Sequence, residues 1–187
     1  MADKFIENLY PGQVFQGFHY DEILYEAKSP FQSIAIYRAP VLGRVLVLDG
    51  IVQTTVADEF IYHEMLVHVP MLSVPNPKRV MIVGGGDGGC LREVLKHPIE
   101  RVDMVEIDRM VIDSSREFLP SLNDNGRAFD DPRTRLVIED AFQYMKAHTA
   151  STTSSSWTRP IRSAWRRRCI RTSSIGCAAT RCPPMAR

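Results

Sequence analysis

A chain of 187 residues, 44% hydrophobic and 24% charged, has room for one ordinary domain, or for a small domain beside an incomplete larger one. That composition excludes a disordered or fibrous protein, and no run of about 18 apolar residues offers a membrane span. The net charge of +1 conceals a division: residues 1–150 carry 15 Lys and Arg against all 22 Asp and Glu, whereas residues 151–187 carry eight Arg and no acid. Three of the four cysteines and 12 Ser or Thr also lie beyond Ala150. Two compositions meet there. The start, MADKFIENLYPG, lacks the basic head and apolar stretch of a signal peptide. The cysteines show neither metal-ligand nor disulfide spacing, which points to a reducing cytoplasm.

In chain order, residues 1–56 read as short strands: SIAIY from Ser33, GRVLVLDG from Gly43 and IVQTTV from Ile51. Asp49-Gly50 is a tight-hairpin signal between the last two. A helix is expected from Asp58, an acceptable N-cap, with Phe60, Ile61, Met65, Leu66 and Val69 as its apolar set. Pro70, Pro75 and Pro77 punctuate the linker that follows. From Lys78 the pattern alternates. RVMIV from Arg79 reads as a parallel strand buried on both faces. A glycine cluster and a helix with Leu91, Val94 and Leu95 follow. VDMVEI leads to a helix with Met110, Val111 and Phe118, and RLVIED leads to AFQYMKAH. The order predicts an α/β fold with half of a doubly wound sheet. The expected divisions are 1–73 (β-strand unit with a helix), 74–150 (first half of a nucleoside-binding unit) and 151–187 (an aberrant tail).

VMIVGGGDGG places Gly84, Gly85 and Gly86 between a strand and a helix, where backbone without Cβ atoms turns sharply and lets a ligand close. Glu106 follows Gly86 by 20 residues at the end of the next strand, the place for a carboxylate that accepts from both ribose hydroxyls. The plain alternative is a tight turn with a solvated acid. Asp87 decides between ligands: a carboxylate in the loop repels the pyrophosphate of a dinucleotide and suits the sulfonium and amine of an S-adenosyl compound, so NAD is disfavoured. Asp140 either recognises an adenine amino group or caps the helix at Ala141, and the two roles are compatible. Gln53 is left open between strand scaffold and channel wall.

VLDGIVQTT, DEFIYHEML with HVP, VGGGDGG with LREV, MVEID and DDPR together resemble the spermidine synthase (polyamine aminopropyltransferase) family from about Tyr10 to Tyr144. The resemblance implies a small N-terminal β domain on a Rossmann-like domain, here incomplete, in a homodimer or homotetramer. It implies transfer of the aminopropyl group of decarboxylated S-adenosylmethionine, a co-substrate, to putrescine, giving spermidine and methylthioadenosine. No cofactor, metal, nucleic acid or membrane is implied. Carried over by residue, Gln32, Gly84, Gly85, Gly86, Glu106, Asp140 and Ala141 bind the nucleoside. Tyr62 and His63 line the amine channel, and Asp87 holds the aminopropyl ammonium. His19, His68, His97 and His148 keep ordinary core or surface roles. Competing readings are a methyltransferase on the same scaffold, which leaves DEFIYHEM unexplained, and a non-catalytic nucleoside-binding protein with a basic tail.

The family continues with an apolar strand ending in Asp-Ser/Cys-Thr-Asp-Pro, whose first Asp is the proton acceptor. This chain reads STTSSSWTRPIRSAWRRRCIRTSSIG instead. A one-base slip near Ala150 accounts for it. Each codon then begins with the middle base of an original codon, so Ser154, Ser155 and Ser156, where written TCN, and Trp157 conceal middle-T, apolar codons. Restoring the frame permits FDDVIIVDSTDPIGLAEALYQDFFYR. No catalytic residue is retained on this reading, and the third strand is expected to lack its neighbour.

Overall fold

The computed structural model describes residues 3–149, apart from Pro11, together with residues 176–180. The chain begins with a two-stranded ribbon of β1 (Asp3–Tyr10) and β2 (Val14–Tyr20). An antiparallel meander follows, of β3 (Glu22–Lys28), β4 (Ser33–Ala39), β5 (Gly43–Leu48) and β6 (Ile51–Thr55). The Asp49-Gly50 hairpin is present, with both residues at positive φ, 50° and 75°, as a primed turn requires. Asp49 is fastened there by the backbone N–H of Ser33 at 2.9 Å. The first three strands carry few buried side chains, so their pattern is weaker than that of β4 and β5.

Helix α1 (Glu59–Ser73) corrects the expected apolar face: Glu59, His63, Val67 and Met71 are buried, while Phe60, Ile61, Met65 and Val69 are exposed. Apolar residues surround this helix, and a polar pair, Glu59 and His63, takes the first half of its buried stripe. Pro70 lies inside α1 and not in the linker. Asp58 stands at the N-cap without capping, because its Oδ1 accepts from Thr55 Oγ1 at 2.6 Å instead.

The α/β part runs β7 (Arg79–Val83), α2 (Gly89–Leu95), β8 (Arg101–Glu106), α3 (Arg109–Phe118), the short α4 (Arg127–Asp130), β9 (Thr134–Ile138) and α5 (Ala141–Thr149). Strands β7, β8 and β9 are parallel, with Ile82 beside Met104 and Met104 beside Leu136. In β7, Val80 and Ile82 are buried while Met81 and Val83 are half-buried. Strand β10 (Gly176–Thr180) lies antiparallel against the free side of β7. The sheet order is β10-β7-β8-β9. Among the described residues β9 has no neighbour besides β8, as expected, but the place of the missing strand is corrected. The chain steps outward from β7 to β9, so a further strand of a doubly wound sheet belongs beside β7, at the switch point, and β9 is an outer edge. The residues of the reconstructed strand, up to Ile175, lie outside the described residues.

One apolar cluster joins α1 and α2 to the sheet through Val67, Met71, Ile82, Leu91, Val94 and Met104. A second spans the two parts: Ile34, Ile36, Leu46 and Leu48 of the meander pack on Val111, Leu119 and Leu122. The meander therefore packs against α3 and the segment that follows it.

Candidate nucleoside and amine site

Strand β7 ends in the glycine loop, where Gly84 and Gly85 take φ of 77° and 80°, a conformation that other residues enter only at a cost. At Gly86 a Cβ would meet Val111 Cγ1 at 2.8 Å and Glu106 Oε2 at 3.3 Å, so the loop passes directly over the acid of the next strand. Asp87 follows, 3% exposed, with Oδ1 accepting from the Gly89 N–H at 2.7 Å where α2 begins. His63 Nε2 stands 3.4 Å from the same oxygen, and His63 Nδ1 stands 2.6 Å from Glu59 Oε2.

These contacts set the charges. Burial works against ionisation of Asp87, but the His63 imidazole and the Gly89 N–H outweigh it and hold the carboxyl below its usual range. Burial likewise works against a charged His63, and Asp87 with Glu59 more than offsets it, leaving the imidazole above its ordinary value. Tyr62 is half exposed, its phenol pushed up to about 12 by burial and then by Cys90 and Asp87. Its hydroxyl stays protonated and can donate. His63 is fully buried, so Tyr62 rather than His63 faces the solvent side of α1.

Glu106 closes β8 and is 3% exposed. Burial raises its carboxyl, although it accepts from the Asp108 N–H at 3.0 Å. Asp108 caps α3 by accepting from the Met110 N–H at 3.0 Å. Its other oxygen accepts from Ser29 Oγ at 2.6 Å and from Gln32 Nε2 at 3.0 Å. Gln32 thus reaches the site from the meander, tied across 76 residues. Asp140 caps α5 through the N–H groups of Phe142 (2.8 Å) and Gln143 (3.1 Å), while remaining exposed. Ala141 is the first residue of that helix. Gln53 bonds back to the Ile51 carbonyl at 3.1 Å.

An open cleft of about 650 Å³ runs along the ends of β8 and β9, lined by Phe31, Ile107, Asp108, Ile138 and Asp140 among others. Ile107 and Ile138 are 39% and 42% exposed. Both line the cleft together with Asp108 and Asp140. Sequence reading missed Ser29, Phe31, Asp108, Ile107, Ile138 and Glu59. The first three lie in the meander or behind the strand-end acid, and only the fold brings them in. Ile107 directly follows the suspected acid Glu106, and Ile138 ends β9 two residues before the suspected Asp140, so both could have been found as apolar residues beside those acids. Among the described residues no group of three or more His, Cys, Asp or Glu could hold a metal ion, and no helix is long and apolar enough to cross a membrane.

The sequence pattern of the spermine/spermidine synthase domain matches residues 59–154. The chain belongs to that family. The spermidine synthase tetramerisation domain matches residues 5–56 of this family member. A spermine synthase of Saccharomyces cerevisiae is 56% identical over 143 residues, covering 76% of this chain and 47% of the relative. The polyamine aminopropyltransferase 1 of Pseudomonas aeruginosa is 52% identical over 140 residues, covering 74% and 48%. The chain thus spans about half the length of these curated relatives. The solved spermidine synthase from Thermotoga maritima superposes with a TM-score of 0.73 at 42% identity, over 79% of this chain and 52% of that one. A spermidine synthase solved with the transition-state analogue AdoDATO gives the same score and identity.

Proposed function

We propose that this pocket is the donor half of an aminopropyltransferase site, taking decarboxylated S-adenosylmethionine as co-substrate and putrescine as acceptor, and yielding spermidine and methylthioadenosine. The observation that carries it is Asp87: a buried, ionised carboxylate inside the glycine loop repels a pyrophosphate and attracts an alkylammonium. The names of the relatives and the analogue complex support the same reading.

In this reading Glu106 accepts from the ribose hydroxyls, and Asp140 with the Ala141 N–H faces the adenine edge. Ile107 and Ile138 sandwich the ring, and Gln32 steadies the nucleoside from the meander. Asp87 holds the aminopropyl ammonium, with the Tyr62 hydroxyl lining the amine channel. The acceptor amine, once deprotonated, attacks the carbon beside the sulfonium. The C–N bond forms as the C–S bond breaks, and the bonding pair leaves with sulfur as the neutral thioether of methylthioadenosine. Holding the two reacting atoms in line supplies most of the acceleration, and a carboxylate base supplies the rest. Neither a metal nor a further cofactor enters this chemistry.

That base is missing from the tail, since residues 151–187 contain no Asp or Glu. The proposed one-base slip near Ala150 accounts for the loss, and the chain as it stands binds the donor without turning it over. The preferred amine is set in part by that replaced segment. An oligomer is proposed from the match of residues 5–56 and from Ile6, Leu9, Tyr10, Val14 and Phe15, which are exposed on the β1–β2 ribbon. The proposed compartment is the cytoplasm.

The test is to assay the chain as given beside one with the frame restored after Ala150, each with donor and putrescine. The restored chain is expected to release methylthioadenosine and spermidine in equal amounts, and the chain as given to release neither. Release of S-adenosylhomocysteine from S-adenosylmethionine would point to a methyltransferase. Full turnover by the 187-residue chain would refute the account of its ending.

A further inference from the structure

Glu59 stands outside the residues that sequence reading assigned to the site, yet the buried charges converge on it. Arg92 forks onto both of its oxygens, NH1 to Oε1 at 2.9 Å and NH2 to Oε2 at 3.0 Å. Arg92 is itself anchored by Glu93 Oε1 at 2.8 Å and by the carbonyls of Ser121 (2.9 Å) and Leu122 (3.2 Å). One helical turn along α1, His63 Nδ1 meets Glu59 Oε2 at 2.6 Å. Beyond the ring, His63 Nε2 has no hydrogen-bond partner and stands 3.4 Å from Asp87 Oδ1. Glu59, His63 and Asp87 are 8%, 0% and 3% exposed, so water screens this row of alternating charges poorly.

A carboxylate on Nδ1 fixes both the rotation of the imidazole and the proton it carries there. A second N–H on Nε2 then points at Asp87, whereas a neutral ring would set a lone pair against a carboxylate. The contacts of Asp87 with His63 and with the Gly89 N–H both fall on Oδ1, and neither engages Oδ2.

We propose that Glu59, held by Arg92, is a positioning residue that fixes the His63 ring and its charge, and so keeps Asp87 ionised with one oxygen turned to the ligand's ammonium. This rests on the reading of Asp87 under Proposed function. Glu59 does not touch the ligand and acts only through His63. Removing its negative charge withdraws support for the charged His63 ring, and with it for the ionised Asp87, and leaves the Arg92 cation less balanced, which weakens a cationic ligand and leaves a neutral one alone.

Calorimetric binding on the 187-residue chain tests this with two ligands that differ in the aminopropyl arm and the sulfonium charge: decarboxylated S-adenosylmethionine and methylthioadenosine. Glu59→Gln keeps the shape and an acceptor for Nδ1–H. Its affinity for the charged donor is expected to fall about tenfold, a normal coupling between linked sites, with methylthioadenosine unchanged. Glu59→Asp is expected to recover part of the loss. If Glu59→Gln fails to fold, Arg92→Lys carries the same comparison, since it keeps the cation but gives up the fork. Equal losses for both ligands would show a purely structural role and overturn the proposal, as would no change for either. A wild-type chain that binds neither nucleoside overturns the reading of the pocket, and this inference with it. A wild-type chain that favours the charged donor, beside a Glu59→Gln chain that favours it by the same factor, overturns the inference alone.

Discussion

Gly89 opens helix α2 directly against the imidazole of His63: a Cβ at that position would lie 2.6 Å from His63 Nε2 and closer still to other ring atoms. The ring cannot step aside, because Glu59 and Asp87 hold it from both sides. Gly89→Ala is therefore expected to cost about 2 kcal/mol of stability, as overpacking in a close-packed interior does. Urea unfolding measures it, and a variant as stable as wild type would show that the ring is not fixed there.

Asp87→Asn removes the charge and keeps the shape. It is expected to lose about 2 kcal/mol of affinity for decarboxylated S-adenosylmethionine, the worth of a charge-assisted hydrogen bond, with methylthioadenosine held within about twofold. Calorimetry with both ligands checks it. Equal weakening of the two would mean that Asp87 supports the loop rather than the cation.

His63 faces Glu59, Asp87 and Tyr62, and its imidazole titrates above its ordinary value despite burial. A raised folded value means that the stabilisation is complete below the unfolded value, about 6.5, and is lost as pH rises through the folded one. Asp87 has the opposite sign: its contribution is present above its unfolded value and fades only in acid. The stability advantage of wild type over His63→Asn is thus expected to be largest near pH 6 and to shrink toward alkaline pH. Unfolding free energies across that range measure it, and an advantage that grows with pH would contradict the charge assignment.

Asp108 ties the meander to the parallel sheet through Ser29 and Gln32 and caps α3 as well. Asp108→Ala is expected to cost about 3 kcal/mol, because it strands buried donors on two elements, and Ser29→Ala about 1 kcal/mol. A double-mutant cycle between them should give a coupling of at least about 0.5 kcal/mol, and additive losses would rule out the tie.

What the sequence made legible follows from distance along the chain. The Asp49-Gly50 turn, the alternation of strands and helices, the glycine loop and the acids near the strand ends are local patterns, and each lies where it was expected. The face of α1 was not legible, since Phe60, Ile61, Met65 and Val69 outweigh the polar pair that is actually buried. Glu59 and His63 stand four apart on that helix, which was the available signal for the inner stripe. Contacts across 79 residues, such as Ser29 to Asp108, have no periodic signature at all. The side of β7 on which a fourth strand belongs depends on the direction in which the sheet grows, and adjacent motifs do not record it.

The most direct measurement is equilibrium binding of the 187-residue chain to decarboxylated S-adenosylmethionine, methylthioadenosine and NAD under one set of conditions. The roles proposed for Asp87, Glu106 and Asp140 require the charged donor to bind tightest, methylthioadenosine next and NAD weakest. NAD bound more tightly than methylthioadenosine would contradict the account.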